Sequence, residues 1–283
     1  MASMTTSAPS IEKLTPIIGA VANGIDLRRT LDPPAVDAIR SAWYEHTILL
    51  IRGQDITEQE QVRFGEYFGV LGKVMKKRAA MADHHPSVMF ISNIRENGEL
   101  IGTLPDGEVY FHSDHCFVAK PPAGTMLYAM EIPSRGGNTM FANMYAAYDS
   151  LSPAMKERLE NLHALNVYDL GGAPATRMKS IPPDAASHVH PVIRVHPVTR
   201  RKALYVNRLM TYWIEGLPDA ESESLLSELF DYQEQRQFVY EHVWRPGDII
   251  LWDNRCTLHA RTDFGADERR LLRRITLASD GSE

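Results

Sequence analysis

Phe111-His112-Ser113-Asp114 places a histidine and a carboxylate two residues apart. On an extended strand, residues i and i+2 point to the same face, so His112 and Asp114 are predicted to reach one ion. A second imidazole, His259, closes the downstream stretch Trp252-Asp253-Asn254-Arg255-Cys256-Thr257-Leu258-His259. Two histidines with one carboxylate form the facial triad of non-haem Fe(II) oxygenases, which leaves coordination positions open for chemistry. The three residues are therefore candidate iron ligands.

Two arginines are expected on one face of a predicted strand near the end of the chain. Residues 270 to 277 read Arg-Leu-Leu-Arg-Arg-Ile-Thr-Leu. Because alternate residues of a strand share a face, Arg270 and Arg274 are predicted to point to the same side. Guanidinium groups bind carboxylates and similar oxyanions in a planar, bidentate geometry. Iron ligands beside such arginines suit a 2-oxo dicarboxylic acid, whose 2-oxo acid end chelates the metal while its far carboxylate needs a fixed cation.

The bulk properties limit the class of protein. A chain of 283 residues with 44% hydrophobic content suits one large domain. The formal net charge is −6 without a long basic run, which argues against a nucleic-acid partner. Residues 1 to 10 are polar, lack the apolar core of a signal peptide, and are predicted to form a disordered tail.

Membrane association and disulfide bonding are not expected either. The apolar runs of the sequence are all much shorter than the ~20 residues of a membrane-spanning helix. Its two cysteines, Cys116 and Cys256, imply no disulfide framework, which fits a cytoplasmic protein. We interpret both cysteines as small apolar residues that fill space near the predicted metal site.

The predicted elements indicate a mainly β protein with flanking helices. Helices are predicted at residues 33–46, 58–68 and 153–162 and from 219 onward, after capping residues such as Asp32 and Thr57. Strands are predicted at residues 48–51, 125–132, 139–144, 192–196, 202–206, 238–244 and 249–252. Many strands with few helices indicate a closed or double-sheet core. Residues 11–283 are predicted to form one domain, with an insertion at about 145–190 that covers the site.

These residues, in this order, resemble the taurine dioxygenase / 2,4-dichlorophenoxyacetate dioxygenase family of Fe(II)/2-oxoglutarate enzymes. The likeness covers most of the chain, from Ile18-Gly19-Ala20-Val21 to Arg274, and includes Gly136-Gly137-Asn138-Thr139 and Leu204-Tyr205-Val206-Asn207. A lone His-x-Asp is a weak signal, but the ordered set with both arginines is specific. The resemblance implies the double-stranded β-helix, or jelly roll. The stretch Gly98 to Val109 is longer than in the taurine enzymes, so their substrate pocket is not assumed here.

The resemblance also implies a role for each candidate residue. His112, Asp114 and His259 would ligate Fe(II). Thr139 and Arg270 would hold the far carboxylate of 2-oxoglutarate. The predicted substrate-binding residues are Arg274, Asn93, Leu209 and Met210. Family members are commonly homo-oligomers, so a dimer or tetramer is expected.

Several residues have competing interpretations. A buried Arg274 could instead pair with a core carboxylate to hold the barrel, and Leu209 and Met210 could pack in an ordinary core. His115 is predicted to point away from the ligands on the same strand. The histidines at positions 188, 190 and 196 suit surface or hairpin positions better than a second metal site. The basic cluster at positions 73 and 76 to 78 suits a solvated loop better than a lid that attracts an anionic substrate.

The expected reaction uses O₂ and 2-oxoglutarate to hydroxylate a C–H bond and releases succinate and CO₂. A small organic anion is the expected substrate: an aryloxyalkanoate-type carboxylate, or an alkyl sulfonate or sulfate, cleaved next to the heteroatom. Biosynthetic desaturation or cyclisation is the alternative. Asp114 argues against halogenation, which needs the carboxylate's coordination position for halide. A non-catalytic jelly-roll binding protein is a remote alternative that succinate release would exclude.

Overall fold

The chain folds mainly into β-strands, and the computed structural model describes residues 9–74, 81–103, 110–168, 181 and 184–279. The helices in these ranges are α1 Pro33–His46, α2 Glu58–Glu66, α3 Met144–Asp149, α4 Pro153–Leu159 and α5 Asp219–Gln233. The strands in the first half are β1 Ser10–Lys13, β2 Ala20–Asn23, β3 Ile48–Ile51, β4 Val88–Ser92, β5 Arg95–Glu96, β6 Glu99–Leu100, β7 Gly124–Glu131 and β8 Thr139–Asn143. The later strands are β9 His163–Val167, β10 Ser187–Pro191, β11 Ile193–Val195, β12 Lys202–Leu204, β13 Thr211–Ile214, β14 Val239–His242, β15 Ile249–Asp253, β16 Thr257–Arg261 and β17 Leu271–Leu277.

Two sheets pack face to face around the site. The larger sheet has seven strands in the order β1-β2-β3-β15-β7-β17-β4, and the smaller one has the order β14-β8-β16. Phe141 of β8 packs against Trp252 of β15 with their ring centroids 5.4 Å apart, in an apolar cluster that includes Leu127 and Leu272. This double-sheet arrangement with outer helices confirms the predicted jelly roll.

The early helices begin where local sequence signals place them. The side chain of Asp32 accepts a hydrogen bond from Ala35 N at 2.9 Å, and α1 follows with prolines in its first turn. Thr57 and Glu60 form the predicted capping box of α2. Helix α1 buries Ile39 and Trp43 against β3 and β15, so its apolar face fixes the helix on the larger sheet.

The helix α3 was not predicted from the sequence. It follows β8 without a loop, because the side chain of Asn143, the last residue of the strand, accepts hydrogen bonds from Tyr145 N and Ala146 N. Tyr145 and Leu159 of the next helix lie in the core with Leu258. The described start of the predicted 145–190 insertion is therefore part of the core. Residues 169–180 and 182–183 lie outside the described ranges, and a lid there stays a prediction.

Other predicted segments fall partly outside the described residues. The predicted tail of residues 1 to 10 is described only from residue 9, and Ser10 already pairs with Asn23 in the sheet. Of the basic cluster, only Lys73 lies in a described range. The loop before His112 is described up to residue 103 and again from residue 110, with β5 and β6 forming a hairpin in its first part. The helices in the described ranges are all too short or too polar to cross a membrane.

Candidate active site

The three predicted metal ligands lie together at one end of the space between the sheets. The ligand atoms of His112, Asp114 and His259 all lie within 4.8 Å of one another. The backbones of the two histidines exchange hydrogen bonds in both directions, at 3.0 and 2.9 Å, and their ring centroids are 4.1 Å apart. His259 Nε2 lies 3.9 Å from Asp114 Oδ1. Two nitrogen donors and one carboxylate suit Fe(II) with open positions.

The local backbone that joins His112 to Asp114 differs from the predicted strand. His112 forms a single bridge with His259, and the chain turns at Asp114 instead of continuing as a strand. His115 has a positive φ of 51°, which no extended strand contains. The prediction that His115 lies on the opposite face of a strand is therefore wrong. The turn, together with the bridge, positions both side chains.

Hydrogen bonds around the candidate ligands fix their orientation. His112 Nδ1 donates to Tyr110 O at 2.9 Å, which leaves Nε2 as the ring nitrogen that can bind a metal. Thr125 Oγ1 donates to Asp114 Oδ2 at 2.5 Å. Asn254 Nδ2 in turn donates to Thr125 Oγ1 at 3.0 Å. These contacts are the outer-shell support that a metal-binding carboxylate and imidazole need.

Arg274 lies beside Asp114. Its Nη2 is 2.6 Å from Asp114 Oδ1, and both side chains are more than nine-tenths buried. Burial alone would raise the pKa of Asp114, but the charges of Arg274 and the two histidines hold that pKa well below its usual range. The Nε and Nη2 groups of Arg274 have no aligned hydrogen-bond acceptor within the described ranges. The contact is therefore an ion pair that leaves donor groups for a further anion.

A cavity with about 470 Å³ of empty space adjoins the candidate ligands. Its polar wall includes the predicted residues Thr139, Arg270 and Arg274, and its apolar wall is formed by Ile91, Leu127 and Trp252. Arg270 and Arg274 thus share a face, as predicted. Arg273 points to the other side of the same strand, where its Nε donates to Gln61 Oε1 at 2.6 Å.

The Gly136-Gly137 turn holds the side chain of Arg270. Both glycines have positive φ angles, of 71° and 64°, which other residues adopt only at a cost. A Cβ on Gly137 would lie 3.3 Å from Cδ of Arg270, so the missing side chain makes room for the arginine. The carbonyl oxygen of Gly137 accepts a hydrogen bond from Arg270 Nε at 3.1 Å. The turn therefore aims the terminal guanidinium nitrogens at the cavity.

Arg270 is a buried cation in an unusual environment. It is 4% exposed, and no carboxylate in the described ranges lies within salt-bridge distance of it. Burial and, second, the charge of nearby Arg261 lower the pKa of Arg270 to about 9. A buried charge without a counter-ion is unfavourable, so this end of the cavity favours an anion.

The hydroxyl group of Thr139 can donate a hydrogen bond into the same end of the cavity. Its Oγ1 accepts from Trp244 Nε1 at 3.0 Å. A hydroxyl has one proton to donate, and the indole occupies one of its acceptor positions. The remaining O–H is therefore suited to a carboxylate placed next to Arg270.

Three predicted substrate residues do not line this cavity. Asn93 Nδ2 donates to Glu268 O at 2.8 Å, and its Oδ1 accepts from Arg270 N at 3.0 Å, so it supports the backbone before β17. It lines a neighbouring cavity instead. Leu209 and Met210 pack with Cys116 and Tyr205 in a separate apolar cluster. Their predicted contact with substrate has no support in the cavity lining.

The histidines at positions 188, 190 and 196 contact groups other than the candidate metal ligands. The rings of His188 and His190 meet edge to face with their centroids 4.7 Å apart, and His190 Nε2 donates to Val118 O. Burial lowers the pKa of His190 to about 4. His196 lies elsewhere, 3.0 Å from Asp253. The three histidines therefore form no joint metal site.

The sequence analysis missed several residues of the site, and two of them bear on ligand binding. Arg261 lines the cavity, and Trp244 positions Thr139. The even spacing between His259 and Arg261 was an available signal, because both lie in a stretch that could be read as a strand. For Trp244 no local signal exists, since its contact with Thr139 joins two distant strands.

Comparison with known proteins agrees with this geometry. The family model of the taurine catabolism dioxygenase TauD, TfdA family matches residues 10–276. The chain belongs to this family and is an Fe(II)- and 2-oxoglutarate-dependent dioxygenase.

Individual relatives match over almost the whole chain. Pentalenolactone F synthase of Streptomyces avermitilis is 34% identical over 285 residues, covering 94% of this chain and 93% of that protein. The alpha-ketoglutarate-dependent 2,4-dichlorophenoxyacetate dioxygenase of Cupriavidus pinatubonensis is 34% identical over 282 residues, covering 94% and 96%. The crystal structure of AAD-2 in complex with Mn(II) and N-oxalylglycine superposes with a TM-score of 0.84 at 27% identity, covering 97% of this chain and 98% of that one.

Proposed function

We propose that His112, Asp114 and His259 hold Fe(II), and that Arg270 and Thr139 bind the far carboxylate of 2-oxoglutarate. The observation that carries this proposal is the buried guanidinium of Arg270, which has no carboxylate partner in the described ranges and lies in the cavity that adjoins the candidate ligands. An oxygenase that takes a 2-oxo dicarboxylic acid needs a metal at one end and a fixed cation at the other. Candidate metal ligands and the buried cation of Arg270 both line this cavity.

The side chains of the cavity orient the reactants and limit water. Bound iron would supply the activation of O₂ that couples decarboxylation of 2-oxoglutarate to oxidation of the substrate. Thr125 and Asn254 hold Asp114 in one orientation, and Tyr110 O fixes the tautomer of His112. The apolar wall of Ile91, Leu127 and Trp252 keeps water away from the reacting groups.

The proposed substrate is a small organic anion of the aryloxyalkanoate type, with an alkyl sulfate or sulfonate as the second class. Arg274 lines the cavity and retains donor groups beside its contact with Asp114. An anionic group bound there would hold a neighbouring carbon close to the metal. Similarity to the 2,4-dichlorophenoxyacetate dioxygenase supports the first class. Hydroxylation next to the ether oxygen would then release a phenol and a carbonyl product.

A panel of aryloxyalkanoates, alkyl sulfates and alkyl sulfonates, with succinate release as the readout, tests the substrate class. Arg274→Ala should raise the KM for the organic anion by about tenfold or more, the effect of a lost charge-assisted contact. Its apparent KM for 2-oxoglutarate should change little, and succinate formation uncoupled from product should persist. The exposed Arg269, which pairs with Glu131, offers a matched control in Arg269→Ala.

A different result would favour the structural interpretation of Arg274. Suppose that Arg274→Ala strongly lowers the melting temperature but leaves the substrate KM of the folded fraction unchanged. Arg274 would then serve only to neutralise Asp114, and the case for an anionic substrate would lose its main support. Absence of succinate with every member of the panel would mean that the substrate belongs to none of these three classes.

Desaturation or cyclisation is the second candidate outcome, because the chain is also similar to a pentalenolactone F synthase. Mass spectrometry of the product separates the two, since hydroxylation adds one oxygen while desaturation removes two hydrogens.

We also propose a cytoplasmic homo-oligomer, either a dimer or a tetramer. Light scattering during gel filtration of the full chain tests the oligomeric state.

A further inference from the structure

Arg261 is a third arginine of the cavity and has no role in the assignments above. It ends β16, two residues after His259, and is 9% exposed. Its backbone pairs directly with Thr139 of β8. Arg261, Thr139 and Arg270 line the same cavity. The arginine therefore lies at the end of the cavity that is proposed to hold the far carboxylate.

The guanidinium of Arg261 is held in place by its neighbours. Its Cζ lies 4.8 Å from the ring centroid of Phe264, and Nη1 donates to Thr262 O at 3.3 Å. The loop that follows is tied to the glycine turn, because Gly137 N donates to Asp263 O at 3.2 Å. Since the carbonyl of Gly137 also holds Arg270, one turn fixes both arginine-bearing segments relative to each other.

The two guanidiniums are close enough to affect each other. The charge of Arg261 lowers the pKa of Arg270, in second place after burial. Two like charges that share one end of a buried cavity repel each other, and an anion between them relieves that repulsion. A carboxylate has two oxygens and about four acceptor positions, so it can accept from both guanidiniums and from the Thr139 hydroxyl.

We propose that Arg261 is a second guanidinium for the far carboxylate of 2-oxoglutarate and sharpens the selection of a 2-oxo dicarboxylic acid over a 2-oxo monocarboxylic acid. This inference rests on the proposed function of Arg270 and Thr139. It adds Arg261, whose effect on the binding of 2-oxoglutarate can be measured separately from the effects of Arg270 and Thr139. A competing role is also visible, because Arg261 lines the neighbouring cavity with Asn93 and Arg95. A residue that only gates this outer cavity would not distinguish one 2-oxo acid from the other.

Binding of two 2-oxo acids to the Fe(II)-loaded protein separates these roles. Calorimetry without oxygen compares 2-oxoglutarate with 2-oxopentanoate, which has a methyl group in place of the far carboxylate. Arg261→Gln should weaken 2-oxoglutarate by about 5- to 20-fold and change 2-oxopentanoate by less than about twofold. Arg261→Lys should restore part of the loss. The control Arg269→Gln, at a surface position 61% exposed, should bind both acids as the wild type does.

The variant Arg270→Gln and the double variant Arg270→Gln/Arg261→Gln measure the contribution of Arg261 when Arg270 is absent. Arg270→Gln should keep a preference for 2-oxoglutarate above the roughly fivefold that the Thr139 hydroxyl alone can supply, because one guanidinium remains, and adding Arg261→Gln should lower the preference to about that level. If Arg270→Gln binds both acids equally, or if Arg261→Gln weakens both equally, the proposal for Arg261 is wrong. If the wild-type protein itself shows no preference for 2-oxoglutarate, the proposed function of Arg270 and Thr139 fails first.

Discussion

Among the residues that the structure describes, two groups of possible metal-ligating side chains lie close together, and we propose that only the first, beside the cavity, binds a metal. His112 and His259 line a cavity next to Asp114, and the second group consists of His196, Asp253 and Cys256. In both clusters the possible ligand atoms lie within 4.8 Å of one another. Proximity of ligand types is therefore not enough to define a metal site.

The difference lies in how the polar atoms of the buried cluster are used. His196 Nδ1 accepts from Val198 N and Thr199 N, and its Nε2 donates to Asp253. Both carboxylate oxygens of Asp253 accept from Arg255, at 2.8 and 2.6 Å. With both imidazole nitrogens and both oxygens engaged, this cluster holds the end of β15 in place. The first cluster instead has a cavity on one side, which suits a ligand.

The largest expected effect comes from removing one histidine of each cluster. His259→Ala should reduce Fe(II) affinity and Fe(II)-dependent succinate formation more than about 100-fold, since even outer-shell changes cost 10- to 100-fold. His196→Ala should leave iron binding intact and lower the melting temperature. Calorimetric titration with Fe(II) and thermal unfolding of both variants give the comparison. Near-normal turnover in His259→Ala would remove that residue from the ligand set.

A smaller effect is expected from Asp253→Asn. This change should lower the free energy of unfolding by about 3 kcal/mol, because the buried charge of Arg255 loses its ion-pair partner. Burial opposes ionisation of Asp253, but the charge of Arg255 outweighs it and lowers the pKa to about 2. A pKa below the unfolded value of about 3.9 stabilises the protein above that pH, and the stabilisation is lost as pH falls towards 2.

Urea unfolding between about pH 5 and pH 2 measures this effect. The difference in unfolding free energy between the wild type and Asp253→Asn should shrink as the solution becomes more acidic. Iron affinity of the folded variant should match the wild type. A constant difference across the pH range would contradict the ion-pair interpretation, and lost iron binding would mean that the two clusters are coupled.

The smallest expected effect concerns the donors that face the cavity. Thr139→Val removes a hydroxyl worth about 1 kcal/mol and should weaken 2-oxoglutarate about fivefold. Trp244→Phe keeps that hydroxyl but removes the indole that orients it, so about a twofold loss is expected. The Fe(II)–2-oxoglutarate charge-transfer absorbance, titrated without oxygen, measures both. Losses that simply add in the double variant would argue against orientation of Thr139 by Trp244.

Local signals were enough to predict several elements and to propose residues that the structure places around one cavity. Asp32 and the Thr57–Glu60 capping box place two helices because caps act within one turn of the chain. Alternation along residues 270 to 277 places Arg270 and Arg274 on one face because a strand repeats every two residues. The candidate ligands at positions 112, 114 and 259, which the structure brings together, were proposed from their residue types, spacing and order.

The missed features depend on contacts between distant segments. Arg261 lies opposite Thr139 only because β16 pairs with β8 in one register, which the sequence of either strand does not fix. Asn93 was expected at the substrate, but its amide is engaged by Arg270 N and Glu268 O. At Asp114 the chain turns instead of continuing the predicted strand, and a bridge at His112 joins this segment to β16.

The exchange of backbone hydrogen bonds between His112 and His259 also bears on folding. These residues are far apart in sequence, so the entropy cost of closing the chain between them precedes any gain from their pairing. Pairings of this kind form slowly and are expected late in folding. The proposed iron site is therefore expected to be complete only when β16 has joined the smaller sheet. Iron uptake would then report the completion of folding.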